Sequence, residues 1–124
     1  SRGCRVPDVL IGDWTAESGH RIGADLAQRP EVTAVFAAND QMALGLIGAL
    51  HAAGVAVPGE ISVVGFDDLP EAAYAWPRLT TVRQDFDELA RRAVAAVISG
   101  DAAASAESIV PELVVRDSIA APSV

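Results

Sequence analysis

Lysine is absent: all nine basic residues of this 124-residue chain are arginine. Without lysine there is no Walker-type phosphate loop ending in Gly-Lys, no Schiff-base nucleophile and no lysine general base. Cysteine is nearly absent as well. The single Cys4 has no partner for an intramolecular disulfide and reads as an inert free thiol. Basic charge is scarce, because 17 acidic residues against 9 basic ones give a net charge of -8. That is the wrong sign for a segment that binds DNA by displacing its counterions. Long apolar runs are missing too. The most apolar stretch, 42–57, is broken by His51 and three glycines and ends before Pro58, short of the ~20 residues a membrane span needs. Residues 1–12, with Arg2, Arg5 and Asp8, have no apolar core of signal-peptide length. These features lead us to expect a soluble, cytoplasmic chain with no membrane partner.

What is present is a 51% apolar composition on a length typical of one domain, or a piece of one. Two periodicities alternate. Apolar runs at 9–12, 33–38 and 61–66 have the length of buried strands. Between them, Gly19, Ile22, Gly23, Leu26 and Ala27 share one helical face, whose glycines would allow close approach to a sheet. Met42, Leu46, Ala49, Leu50 and Ala53 form a second helical stripe, with Asn39 or Asp40 suited to cap its start and Gly54 placed to end it. This order predicts an α/β fold, a parallel sheet with crossover helices. Residues 67–78 carry two prolines and no period, and so read as a loop. A short extended piece at 79–82 precedes a capping box, Asp85 and Glu88, that opens a helix running to Ile98 and stopped by Gly100. Residues 101–108 read as a flexible loop. A last strand is expected over 109–115, where Pro111 places its start at an edge or bulge.

In open parallel α/β sheets ligands bind beyond the carboxyl ends of the strands. The residues there are Asp13-Trp14, Asn39-Asp40 and Asp67-Asp68. They combine hydrogen-bonding groups of both senses with one flat indole, which suits a sugar or a stacked nucleobase. Each also has a plainer reading. Asp40 reads first as a helix cap, Asn39 as a turn residue, Trp14 as packing, and one of Asp67 and Asp68 as structural. Four carboxylates near one crevice would also suit Mg²⁺ in a phosphoryl-transfer site. The nearest such architecture, a phosphoacceptor receiver domain, requires a lysine that this chain lacks. His20 and His51 fall on helices and read as surface residues. No nucleophile–base pair, zinc spacing or glycine-rich phosphate loop occurs, so no catalytic residue, metal or cofactor is assigned and the chain is not expected to be an enzyme.

Four segments carry a resemblance. They are Gly12-Asp-Trp-Thr-Ala-Glu-Ser-Gly19, Thr33-Ala-Val-Phe-Ala-Ala-Asn-Asp-Gln-Met-Ala-Leu-Gly45, Val57-Pro-Gly-Glu-Ile-Ser-Val-Val-Gly-Phe-Asp-Asp68 and Leu79-Thr-Thr-Val-Arg-Gln-Asp-Phe86. In this order and spacing they resemble the LacI/GalR family of bacterial transcription regulators. The resemblance implies a periplasmic-binding-protein-like effector domain with flavodoxin-like lobes. It implies that Trp14 is a stacking platform for the effector and that Asn39 and Asp67 are its main hydrogen-bonding partners. Gln84 and Phe86 would then lie where the chain crosses between lobes. Gln41, Met42 and Leu44, with Leu69, Tyr74 and Trp76, resemble the family's dimerisation surface. By the same likeness 1–78 belongs to the C-terminal lobe, 79–108 to the crossover and a helix of the other lobe, and 109–124 to a return strand and tail.

The resemblance also implies a sugar-responsive repressor that dimerises and reaches DNA only through a helix-turn-helix outside this sequence. A transport-type periplasmic sugar-binding protein would share the fold. In a strand order of 2-1-3-4-5 the central strand is not in this sequence, so the chain is expected to be a fragment. Such a fragment should bind effector weakly and associate through exposed strand edges, swapping elements between chains.

Overall fold

The computed structural model describes residues 3, 5–100 and 108–121. Cys4 and most of the expected loop over 101–108, residues 101–107, lie outside the described residues. The elements run α1 (Ala16–Leu26), β1 (Ala34–Phe36), α2 (Asp40–Ala52), β2 (Ser62–Phe66), a 3-10 turn (Pro70–Ala73), β3 (Thr80–Arg83), α3 (Phe86–Ser99) and β4 (Glu112–Val114). One sheet holds the strands in the order β1-β2-β3-β4. Its first three strands are parallel, while β4 runs antiparallel on the edge, pairing Arg83 with Glu112. The fold class is the α/β, parallel-dominated arrangement that the alternating periodicity predicts.

The core lies between α2 and the sheet. Ala43, Leu46, Ile47 and Leu50 of α2 meet Ile61, Val63 and Leu79, with Leu26 of α1 and Ala72 of the 3-10 turn closing the sides. Burying such side chains stabilises a fold by about 1.5–3 kcal/mol each. Strand alternation turns Val63 and Gly65 of β2 inward and leaves Ser62, Val64 and Phe66 on the opposite face. There Phe36 stands 63% exposed, edge-on to Phe66 with ring centroids 6.4 Å apart.

Three sequence expectations are corrected. Residues 9–12 form no strand, and Val9 and Ile11 are exposed. An extended segment becomes a strand only by hydrogen bonding to a neighbour, and among the described residues no strand lies beside this one. The glycines of α1 approach a helix rather than a sheet: a Cβ at Gly19 would collide with the backbone of Met42, and one at Gly23 with Leu46 and Ala49. The last strand spans only Glu112–Val114, shorter than the expected 109–115.

The tail beyond β4 is more deeply integrated than its composition indicates. The carbonyl of Ser118 accepts the Val63 amide at 2.8 Å, and its hydroxyl donates to the Val63 carbonyl at 2.6 Å while accepting the Thr80 amide at 2.8 Å. Ser118 is fully buried between β2 and β3. By contrast, no residue of α3 is buried, despite its apolar stripe, and Leu89, Val94, Val97 and Ile98 are exposed.

Candidate functional site

The parallel register of β1, β2 and β3 brings their carboxyl ends to one edge, and Asn39, Asp67 and Gln84 follow those ends. Asn39 is the N-cap of α2. Its Oδ1 accepts the Met42 amide at 2.9 Å, and its Nδ2 donates to the Trp14 carbonyl at 2.8 Å. The amide thereby holds Trp14, a non-glycine residue at φ 72, in the left-handed region. The indole is left free, with Trp14 63% exposed. Asp67 (φ 107) follows β2 directly. Its amide donates to the Val82 carbonyl at 2.9 Å, and its Oδ1 accepts from Gln84 Nε2 at 3.3 Å. The edge therefore presents two connected pairs, Trp14–Asn39 and Asp67–Gln84. Phe86 opens α3 two residues past Gln84, half exposed.

Left-handed backbone in a non-glycine residue costs on the order of 1–3 kcal/mol and persists where surroundings enforce it. Among the described residues, the non-glycine residues with positive φ are Trp14, Asp67 and Asp68. All three flank this edge.

Asp13 organises the entry to α1. Its Oδ1 accepts from the Thr15 amide at 3.1 Å and the Thr15 hydroxyl at 2.6 Å, and Thr15 in turn caps α1 by accepting the Ser18 amide. The Thr15 and Ser18 hydroxyls lower its carboxyl to a pKa of about 2.

The two remaining acids are internal. Asp40, read from sequence first as a cap, is not the cap, because Asn39 holds that place. Asp40 is instead 0% exposed, with Oδ1 accepting from the Thr81 hydroxyl at 2.5 Å and Oδ2 from the Leu69 amide at 2.8 Å. Burial pushes its carboxyl above the usual range, against the pull of those two hydrogen bonds and with the push of the nearby Asp67 and Asp68 charges. For Asp68 (φ 54) burial acts in the same upward direction, but Arg116 at 2.7 Å and Arg83 at 2.7 Å outweigh it and hold the carboxyl below its ordinary value. Arg116 also donates to the Leu79 carbonyl. With Asp40 and Asp68 turned to these partners, Asp13 and Asp67 are the acids left toward solvent. Among the described residues no group of three or more His, Cys, Asp and Glu is placed to hold a metal ion.

Residue-by-residue reading misses Thr81, Arg83, Arg116 and Ser118. No local signal marks them, since Arg116 and Asp68 stand 48 positions apart in sequence.

The residues expected at a dimer surface divide. Leu44 and Tyr74 line one shallow depression of about 450 Å³ with Pro70, Glu71 and Ala75. Tyr74 and Trp76 are exposed, Trp76 by 86%, and Gln41 is exposed on α2. Leu69 is half-buried beside Asp40. Met42 departs from this group: its sulfur faces Gly12 and its backbone abuts Gly19, so it packs between α2 and α1. His20 and His51 are exposed.

Residues 3–119 match the family described as the periplasmic binding protein-like domain. The lactose operon repressor of Klebsiella pneumoniae is 42% identical over 92 residues, covering 73% of this chain and 26% of the repressor. Among solved structures, the Lac repressor dimer bound to operator and the anti-inducer ONPF superposes with a TM-score of 0.79 at 35% identity, covering 89% of this chain and 40% of that one. A LacI family regulator from Lactobacillus casei with bound sucrose gives a TM-score of 0.74 at 35% identity, covering 84% and 40%. The chain spans about a quarter to a third of the relatives it matches. No helix among the described residues is long and apolar enough to cross a membrane. On the match over 3–119 and on these likenesses, the chain belongs to the periplasmic binding protein-like domain family, as a member of its LacI/GalR regulator branch.

Proposed function

We propose that this chain is the effector-sensing and dimerising part of a cytoplasmic LacI-type transcriptional repressor, without catalytic activity, and that its ligand is a small sugar. The observation that carries the reading is the strand edge itself. An exposed indole, two side-chain amides and a carboxylate gather there, with Trp14 and Asp67 held at positive φ. A saccharide needs this mixture, because its hydroxyls both donate and accept while its C–H face packs on an aromatic ring. Trp14 serves as the platform, Asn39 and Asp67 as hydrogen-bonding partners, and Gln84 and Phe86 as the closing side of an interlobe cleft. The sucrose-bound Lactobacillus regulator supports a sugar, and the operator-bound Lac repressor dimer supports a dimeric DNA regulator. DNA is contacted by a helix-turn-helix outside this sequence. Effector acts by population shift: it binds one arrangement of the lobes more tightly and so changes how a dimer presents its two DNA heads.

The test follows the emission of Trp14 in a Trp76→Phe chain, where it is the sole tryptophan, during titration with mono- and disaccharides. Saturable quenching in the millimolar range by at least one sugar, abolished in Asp67→Asn, is the expected result. A response only to nucleobases or nucleosides would overturn the sugar assignment. The sequence encoded upstream of Ser1 tests the regulator reading, since a signal peptide in place of a helix-turn-helix would make the chain a transport protein.

A further inference from the structure

The effector reading gives no role to a carboxylate that is wholly buried in the first turn of α2. Asp40 sits where α2, β2, β3 and the 67–69 loop converge. Its Oδ1 occupies the space that a Cβ at Gly65 would take, so β2 carries a glycine where the carboxylate lies against it. One oxygen is held by Thr81 of β3, and the other accepts the backbone amide of Leu69. The same Thr81 hydroxyl oxygen lies 3.4 Å from the Asp68 amide as its acceptor. Asp40 and Thr81 together therefore engage two successive amides at the exit of two successive left-handed residues, Asp67 and Asp68. The arginines on Asp68 fix only its side chain.

Beyond Leu69 the chain enters the 3-10 turn at once, and Tyr74 and Ala75 then line one open depression with Leu44. Leu44 lies four residues after Asp40, one turn along the same face of α2. The 67–75 segment is thus bonded to the first turn of α2 at Leu69 and ends across a depression from the next turn of the same helix.

We propose that Asp40 is a positioning residue that clamps the 67–69 backbone to α2, setting the Asp67 carboxylate at the strand edge and tying that setting to the outer surface at Leu44 and Tyr74. Both oxygens of the carboxylate accept, one from the Thr81 hydroxyl and one from the Leu69 amide, and its charge strengthens both bonds. An asparagine offers one uncharged oxygen, and with that oxygen on the Leu69 amide its NH₂ faces Thr81, whose hydroxyl must then accept instead of donate. A movement of α2 then shifts the effector edge and the outer surface together. The role of Asp67 toward ligand rests on the effector reading, while the clamp does not.

Amide hydrogen exchange in the ¹⁵N-labelled chain tests it without ligand. In Asp40→Asn, exchange at Leu69 is expected to rise about tenfold or more, because its amide loses a charged acceptor; in Thr81→Val the rise is expected at Asp68, whose amide loses the Thr81 hydroxyl. Resonances of Asp67 and Tyr74 should move while amides of Gly23 and Leu26 in α1 hold. Thr81→Ser keeps the hydroxyl and should restore wild-type protection. If Asp40→Asn does not fold, the Thr81 pair carries the comparison. Unchanged exchange at Leu69 in Asp40→Asn or at Asp68 in Thr81→Val, or a loss of protection spread evenly through α1 and α3, would overturn the clamp. Sugar titration separates the two ideas. A loosened loop in a chain that binds no sugar leaves the clamp and removes the effector reading. Equal sugar affinity in wild type and Asp40→Asn removes the clamp as a determinant of Asp67.

Discussion

At the scale of single residues, this molecule places acids of like type in opposed environments. Asp13 and Asp68 have lowered pKa values, so each contributes stability above the ordinary carboxylate range and loses it as pH falls through its folded value, about 2 for Asp13. Asp40 runs the other way. Its raised value means the fold prefers it protonated, and that preference fades as pH rises through the folded value. A ¹³C carboxyl titration should show Asp40 protonating above the ordinary aspartate range and Asp13 below it, near pH 2. The reverse order would contradict the burial argument. Asn39 gives a second check, because its two ends do different work. Asn39→Ala should cost about 1 kcal/mol for the lost cap. Asn39→Asp keeps an acceptor for Met42 but sets a carboxylate oxygen against the Trp14 carbonyl, and should cost about 1–3 kcal/mol. Since it loses the donor to the Trp14 carbonyl, the emission of Trp14 should change in both variants.

Elements are fixed here by contacts at backbone distance. Gly45 of α2 faces the Ala16 carbonyl, and Gly19 of α1 faces the Met42 backbone, both too closely for a Cβ. Gly45→Ala and Gly19→Ala should therefore destabilise by about 1–3 kcal/mol, as overpacking does, although alanine is the better helix former. Gly48 lies exposed on the same helix, with nothing nearer to its Cβ position than His20 Nδ1 at 3.9 Å. Gly48→Ala should stabilise by up to about 1 kcal/mol. Thermal melts of the three variants check the contrast, and a uniform response would show that propensity rather than packing governs them. The capping box was legible in advance, since Asp85 accepts the Glu88 amide as its spacing requires. Which partner a glycine face meets was not, because α1 would show the same pattern against a sheet or a helix.

For the whole molecule, the distribution of apolar surface sets the expected behaviour. Trp76, Tyr74, Phe36, Val97 and Ile98 are all exposed, an amount of bare apolar surface that monomers seldom carry. Light scattering at micromolar concentration is expected to give a dimer mass. If the Leu44–Tyr74–Trp76 surface is the interface, Tyr74→Glu combined with Trp76→Glu should give a monomer, while Val97→Glu with Ile98→Glu should leave the dimer intact. A monomer mass for the unaltered chain would sink the proposal of dimerisation.

Sequence alone determined the alternation of strands and helices, the cap at Asp85, and the gathering of Asn39 and Asp67 near one strand edge. Those follow from periodicity and turn chemistry, which act over a few residues and are written locally. Tertiary structure decided the rest. An asparagine followed by an aspartate reads as two equivalent caps, and only Thr81 and Leu69, 41 and 29 positions away, draw Asp40 inside. Residues 9–12 have the composition of a strand, but a strand's hydrogen bonds belong to its neighbour. Arg116 and Ser118 look like an ordinary tail until the return of the chain lays them against Asp68 and Val63. Burial and pairing depend on what the chain brings alongside, and local pattern carries no record of it.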